Sequence, residues 1–198
     1  MQMDPCQNNR SVNQPHETAP PSPKHEAFFA ENIFECGIGW VIAARFKANG
    51  QRVEVGIFCV DVGCLGVKKA FLEETIPEIY RSKILDHYAS EYPMVRIAFC
   101  CARKLVDDAV LYAERLGFGP HPDYKKAHRV FGGIQVEDCL EEFIFGRDGK
   151  PFYMRGPSET EARAKQIVLQ LQKRCGEGNY HSVVPMGTVN ELNRLFET

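Results

Sequence analysis

Between residues 53 and 61, Val53, Val55, Ile57 and Cys59 alternate with Glu54, Gly56, Phe58 and Val60, and the second face turns apolar toward the end. A period of two with both faces becoming apolar predicts a strand that ends up buried on both sides. Upstream, Trp40, Ile42, Ala44 and Phe46 share one face of a strand over 38–46. Asn49-Gly50 between the two runs supplies the positive φ angles of a two-residue type I′ hairpin. With that loop Arg45 falls opposite Glu54, a cross-strand charge pair that supports the register.

Further along, spacings of three and four take over. The stretch 68–72 reads as a short helix, and Pro77 suits the first turn of another running to about residue 88. Pro93 precedes a long predicted helix over 94–116, on which Ala98, Ala102, Leu105, Ala109, Tyr112 and Leu116 form one apolar stripe that Gly117 ends. Cys100 and Cys101 lie side by side on it; neighbours in a helix do not share a face, so both read as packing. Pro122 and Asp123 open a capped helix carrying Tyr124, Ala127 and Phe131, which Gly132-Gly133 stops.

The stretch 134–145 reads as extended. Arg147-Asp148-Gly149-Lys150 predicts a second hairpin turn into a strand over 152–155, which Pro151 places at an edge or at its own start. Ser158 with Glu161 makes a capping box for a helix whose core face is Ala164, Ile167, Val168, Leu171 and Cys175. A last strand over 180–184 and a short helix opened by Thr188 and Glu191 complete the chain. Strands in runs, interrupted by helical blocks, predict an α+β fold: an antiparallel sheet built from two hairpins, with helices packed against it in a single domain.

Composition changes this picture mainly at the N-terminus. Residues 1–24 hold Pro5, Pro15, Pro20, Pro21 and Pro23 among polar residues, and predict a disordered Pro-rich tail ahead of one globular domain over 25–198. Charged residues make up 25% of the chain and its formal charge is -2. That charge argues against a dedicated nucleic-acid binder, although Lys125, Lys126 and Arg129 offer a local basic patch. No apolar run approaches the ~20 residues that span a bilayer, and no basic-then-apolar leader opens the chain. The expected setting is cytoplasmic. There the 8 cysteines are expected to stay thiols. Without a CxxC pair, a GxxxxGK[ST] loop or a GxGxxG turn, neither a metal nor a cofactor is expected.

Candidate chemistry concentrates where the strand over 53–61 runs into a turn. Asp61 closes the strand, Gly63 and Gly66 flank Cys64, and Lys68 and Lys69 follow. A nearby ammonium stabilises a thiolate and lowers its pKa, so an acid, a thiol and an amine at this spacing can form a reactive site. Equally, Asp61 can cap the turn while Cys64 packs as a small hydrophobe. His121 and Asp123 stand in a second glycine- and proline-rich loop, 119–123. The expected site is therefore where the two loops meet, with Asp61, Cys64, Lys68, His121 and Asp123 as candidate residues. The catalytic version is a hydrolase or transferase using Cys64 or Asp61 with His121; in the thiol form His121 takes a proton from Cys64, Asp123 orients the imidazole and Lys68 stabilises the thiolate. No complete nucleophile, base and orienter occur in a known order, so the leading expectation is a non-enzymatic domain that binds an unknown small molecule or protein.

Taken together, VDVGCLGVKKAF, LGFGPHPDY, FGRDGKPFYMRGP and GEGNYHSVVP resemble the recurring pattern of a family of uncharacterised bacterial proteins, over about 33–186. The resemblance implies a bacterial, intracellular protein and transfers no catalytic residue. It makes the four stretches a set expected near one another in space.

Overall fold

The computed structural model describes residues 24–184. The expected tail up to residue 23 and the expected helix at Thr188 lie outside them. Five strands, β1 (His25–Ala30), β2 (Ile38–Phe46), β3 (Val53–Asp61), β4 (Gly66–Thr75) and β5 (Met94–Ile97), form one sheet in the order β4-β3-β2-β1-β5. Every neighbouring pair in it is antiparallel. A short helix α1 (Ile33–Cys36) joins β1 to β2. The expected α+β class is the one observed.

The alternation along β3 is used on both faces. Phe58 and Val60 enter the core under helix α4 (Phe99–Leu116), whereas Val53, Val55 and Ile57 pack against Tyr80 and Ile84 on the opposite face. Tyr80 and Ile84 belong to a continuous helical segment made of α2 (Pro77–Ile79), a π-helical stretch Tyr80–Leu85 and α3 (Asp86–Glu91). The β2–β3 register sets Arg45 against Glu54 as expected, and Lys47 Nζ adds a second contact to Glu54 at 2.9 Å. The turn differs from expectation. Gly50 N–H donates to Lys47 O, Gly50 alone has φ +68°, and Asn49 keeps a negative φ. A type I turn followed by a left-handed glycine thus replaces type I′ without shifting the register.

Two expected helices are partly or wholly strand. Residues 68–72, rich in good helix formers, lie in β4, because pairing with β3 buries Val67 and Ala70 and outweighs local propensity. The expected helix over 94–116 begins only at Phe99. Its first four residues are β5, paired with β1, and Ala98 at ψ 142° makes the break.

Past α4, helix α5 (Tyr124–His128) continues into a 3₁₀ turn Arg129–Phe131. The stretch expected to be extended over 134–145 is irregular, with a 3₁₀ turn Val136–Asp138. Cys101 on α4 is joined to Cys139 in this stretch by a disulfide, contrary to the expectation that all cysteines stay thiols.

Asp148 (φ 52°) and Gly149 (φ 73°) form a two-residue turn closed by an Arg147–Lys150 bridge, outside the five-stranded sheet. It leads to β6 (Phe152–Met154), which pairs in parallel with β7 (His181–Val183). Between these strands lies α6 (Glu161–Cys175), whose N-cap is Thr160, not Ser158: Arg163 N–H donates to Thr160 Oγ1 at 3.2 Å. Ala164, Ile167 and Leu171 of α6 bury against Cys64, Leu65, Phe118 and Tyr153 in a satellite core at one end of α4. No helix among the described residues is long and apolar enough to cross a membrane.

Candidate functional site

The turn after β3 is built around the Asp61 carboxylate. Its Oδ1 accepts hydrogen bonds from Cys64 N–H at 2.8 Å and Leu65 N–H at 3.1 Å, which bends the chain back into β4. Burial pushes the Asp61 carboxyl above its ordinary range, against the opposing pull of these two amides and of Lys68. Cys64 sits at the turn's inner side with no exposure. Burial, together with the Asp61 charge, drives its thiol far up, so it is a protonated packing group.

Backbone hydrogen bonds fasten two further stretches to this turn and the start of β4, and a third stretch to one of those. Phe152 N–H donates to Gly63 O at 3.0 Å, Gly146 N–H to Val62 O at 2.8 Å, and His121 N–H to Val67 O at 2.9 Å. Strand β7 joins through Arg155 N–H to Val183 O at 3.0 Å and His181 N–H to Pro151 O at 2.8 Å. The four stretches singled out in the sequence are therefore contiguous.

A cavity of about 530 Å³ opens between the turn into β4, the loop at 117–122 and the start of α6. Its floor is apolar, with Leu65, Val67 and Phe118, and its polar wall carries Lys68, His121, Glu159 and Arg163. Lys68 Nζ stands 3.5 Å from Glu159 Oε1. Glu159 Oε2 accepts from Tyr153 O–H at 3.2 Å and Gly156 N–H at 3.0 Å. Burial alone would raise the Glu159 carboxyl, but the Gly156 amide, the Lys68 charge and the Tyr153 hydroxyl together hold it below its usual range. On His121, Nδ1 accepts from Asp123 N–H at 3.2 Å, which leaves Nε2 as the nitrogen without a protein partner among the described residues.

Of the five residues expected to converge, Lys68 and His121 line this cavity and Cys64 is buried beneath it. Asp61 lines a smaller cavity of about 190 Å³ that also contacts Lys68. Asp123 lies outside both, with its side chain 62% exposed and 3.9 Å from His121 Nδ1. Sequence reasoning missed Glu159 and Arg163. Their signal was the helix start at 156–161, which reads as an ordinary cap. Lys125 and Lys126 are exposed on α5, and Arg129 Nε donates to Lys126 O. Among the described residues no group of three or more His, Cys, Asp or Glu side chains is placed to hold a metal ion.

Comparison with family models, curated proteins and solved structures finds no match for this chain.

Proposed function

We propose that this protein is a non-enzymatic binding domain for a small organic anion, held in the 530 Å³ cavity by Lys68, Arg163 and His121. The observation that carries this reading is the balance of charge on the cavity wall. Two cations and an imidazole face one carboxylate, and that carboxylate is already engaged by Tyr153, Gly156 and Lys68. An arginine and a lysine over an apolar floor suit a carboxylate or phosphate on a small carbon skeleton. The burial of Cys64 favours binding over thiol chemistry, because nucleophilic attack needs an accessible thiolate. In this reading Asp61 and Cys64 shape the turn that presents Lys68, and Asp123 steadies the His121 loop.

We place this function in the bacterial cytoplasm as part of the same proposal. Among the described residues five cysteines are unpaired, one of them the exposed Cys36, which suits a reducing compartment, whereas the Cys101–Cys139 bridge runs against it.

The test is thermal unfolding at constant ionic strength with phosphate and a set of small carboxylates, with chloride as control. A ligand of the native state raises the melting temperature in proportion to ln(1 + [L]/Kd). The reading predicts a saturable rise for at least one organic anion, lost in Lys68→Met and Arg163→Met. Equal shifts in wild type and both variants would reject it.

A further inference from the structure

The smaller cavity, of about 190 Å³, has a different chemistry from the larger one. Ile38, Phe152, Met154 and Pro157 line it with apolar surface, and Asp61 and Arg155 also reach it. Lys68 is the one residue that lines both. Its methylene stem is suited to apolar company while its ammonium seeks charge, as long basic side chains commonly divide. The Lys68 ammonium is held loosely, since 3.5 Å to Glu159 Oε1 is well beyond the ~2.7–2.9 Å of a charge-assisted hydrogen bond. Glu159 itself is fixed from its other oxygen, so Lys68 can turn toward a bound anion without stranding its partner.

We infer that the two cavities take one ligand, an amphipathic monoanion. Its carboxylate lies with Lys68, Arg163 and His121, and its short aliphatic or aryl tail lies past Lys68 against Ile38, Phe152 and Met154. A single negative charge matches the wall, where Lys68 and Arg163 are offset by Glu159. The tail follows from the apolar side chains of the smaller cavity, where the Asp61 carboxylate opposes an anionic head and the one further cation besides Lys68, Arg155, already donates through Nε to the Glu159 carbonyl. This inference rests on the anion-binding reading and specifies its ligand class.

Calorimetric titration of the protein with straight-chain carboxylates from acetate to octanoate tests it, with hexan-1-ol as the uncharged counterpart of hexanoate. The expected result is a Kd that falls about three- to four-fold per added methylene, the gain from burying one such group, until the smaller cavity is full. Hexan-1-ol should bind far more weakly than hexanoate. In Met154→Trp, which fills the smaller cavity from a half-exposed position, the ratio of acetate to hexanoate Kd should collapse toward one. Carboxylates that bind with no dependence on chain length would overturn this inference and leave the anion site standing. So would a length dependence that survives in Met154→Trp. Absence of binding by every carboxylate would overturn both.

Discussion

Gly63 and Phe152 touch through their backbones: a Cβ built on Gly63 would lie 2.4 Å from the carbonyl oxygen of Phe152. The Phe152 N–H also donates to Gly63 O, so the Asp61 turn and β6 are joined where no side chain fits between them. Gly63→Ala forces β6 away from the turn. It is expected to cost about 1–3 kcal/mol of stability, as overpacking does, and to disturb the wall that Phe152 gives the smaller cavity. Urea unfolding measures the first effect, and an unchanged midpoint would show that the two backbones can separate freely.

Asp61→Ala removes the acceptor for two buried amides, each worth about 1–3 kcal/mol when left unpaired. Asp61→Asn keeps an oxygen in place and should lose much less. Wild type and Asp61→Asn also separate by pH. Burial raises the folded-state pKa of Asp61 above its ordinary 3.8, so the folded state holds this proton more tightly than the unfolded chain. The contribution to stability is present below 3.8 and is lost as pH rises through the folded pKa. Wild type should therefore lose ground against Asp61→Asn as pH climbs from about 3 toward neutrality. A constant difference between the two across that range contradicts the assignment.

Asp107 has the opposite sign. Burial alone would raise its carboxyl, but hydrogen bonds from His128 Nε2 at 2.7 Å and Tyr124 O–H at 2.9 Å, with Arg103 beside it, hold it below its ordinary 3.8. Its contribution is present above 3.8 and is lost as pH falls through the lowered folded value. Asp107→Asn should destabilise the protein at neutral pH and converge with wild type in strong acid, as followed by circular dichroism. The same variant should loosen α5 from α4, since this network is the polar tie between them.

The Cys101–Cys139 disulfide closes a loop across a sequence separation of 38. Reduction, or Cys139→Ala, is expected to cost roughly 2–4 kcal/mol. It should also expose the segment around Leu140 and Ile144, whose side chains are already 95% and 80% exposed, to proteolysis. Protease mapping with and without a dithiol reductant reads this directly. Identical cleavage in both states would contradict a closed bridge.

Strands β2 and β3 were legible because alternation and the Asn49-Gly50 turn agree, and the pairing of Arg45 with Glu54 followed from them. Strand β4 was not. Lys68, Lys69, Ala70 and Leu72 favour a helix in isolation, and only the neighbouring β3 makes them a strand. Strand β5 was hidden because Ala98 fits the phase of the α4 stripe although it lies outside the helix. The placement of Lys68 and His121 in one cavity wall could be anticipated, because both stand beside glycine- or proline-rich turns that a scaffold displays. Glu159 and Arg163 carry no such mark. Their place on the cavity wall beside Lys68 and the residues at 117–122 arises from the packing of α6 at the end of α4, across gaps that no local pattern spans.

The central claim, an anion held by Lys68, His121 and Arg163, is tested most directly by following backbone amide resonances while butyrate is added at fixed pH and ionic strength. The account predicts saturable shifts with a single Kd at Val67, Phe118, His121 and Arg163, while Leu111 and His128, remote from the cavity wall, stay still. Shifts that never saturate, or that spread over Lys125 and Lys126 and spare the cavity, would contradict it.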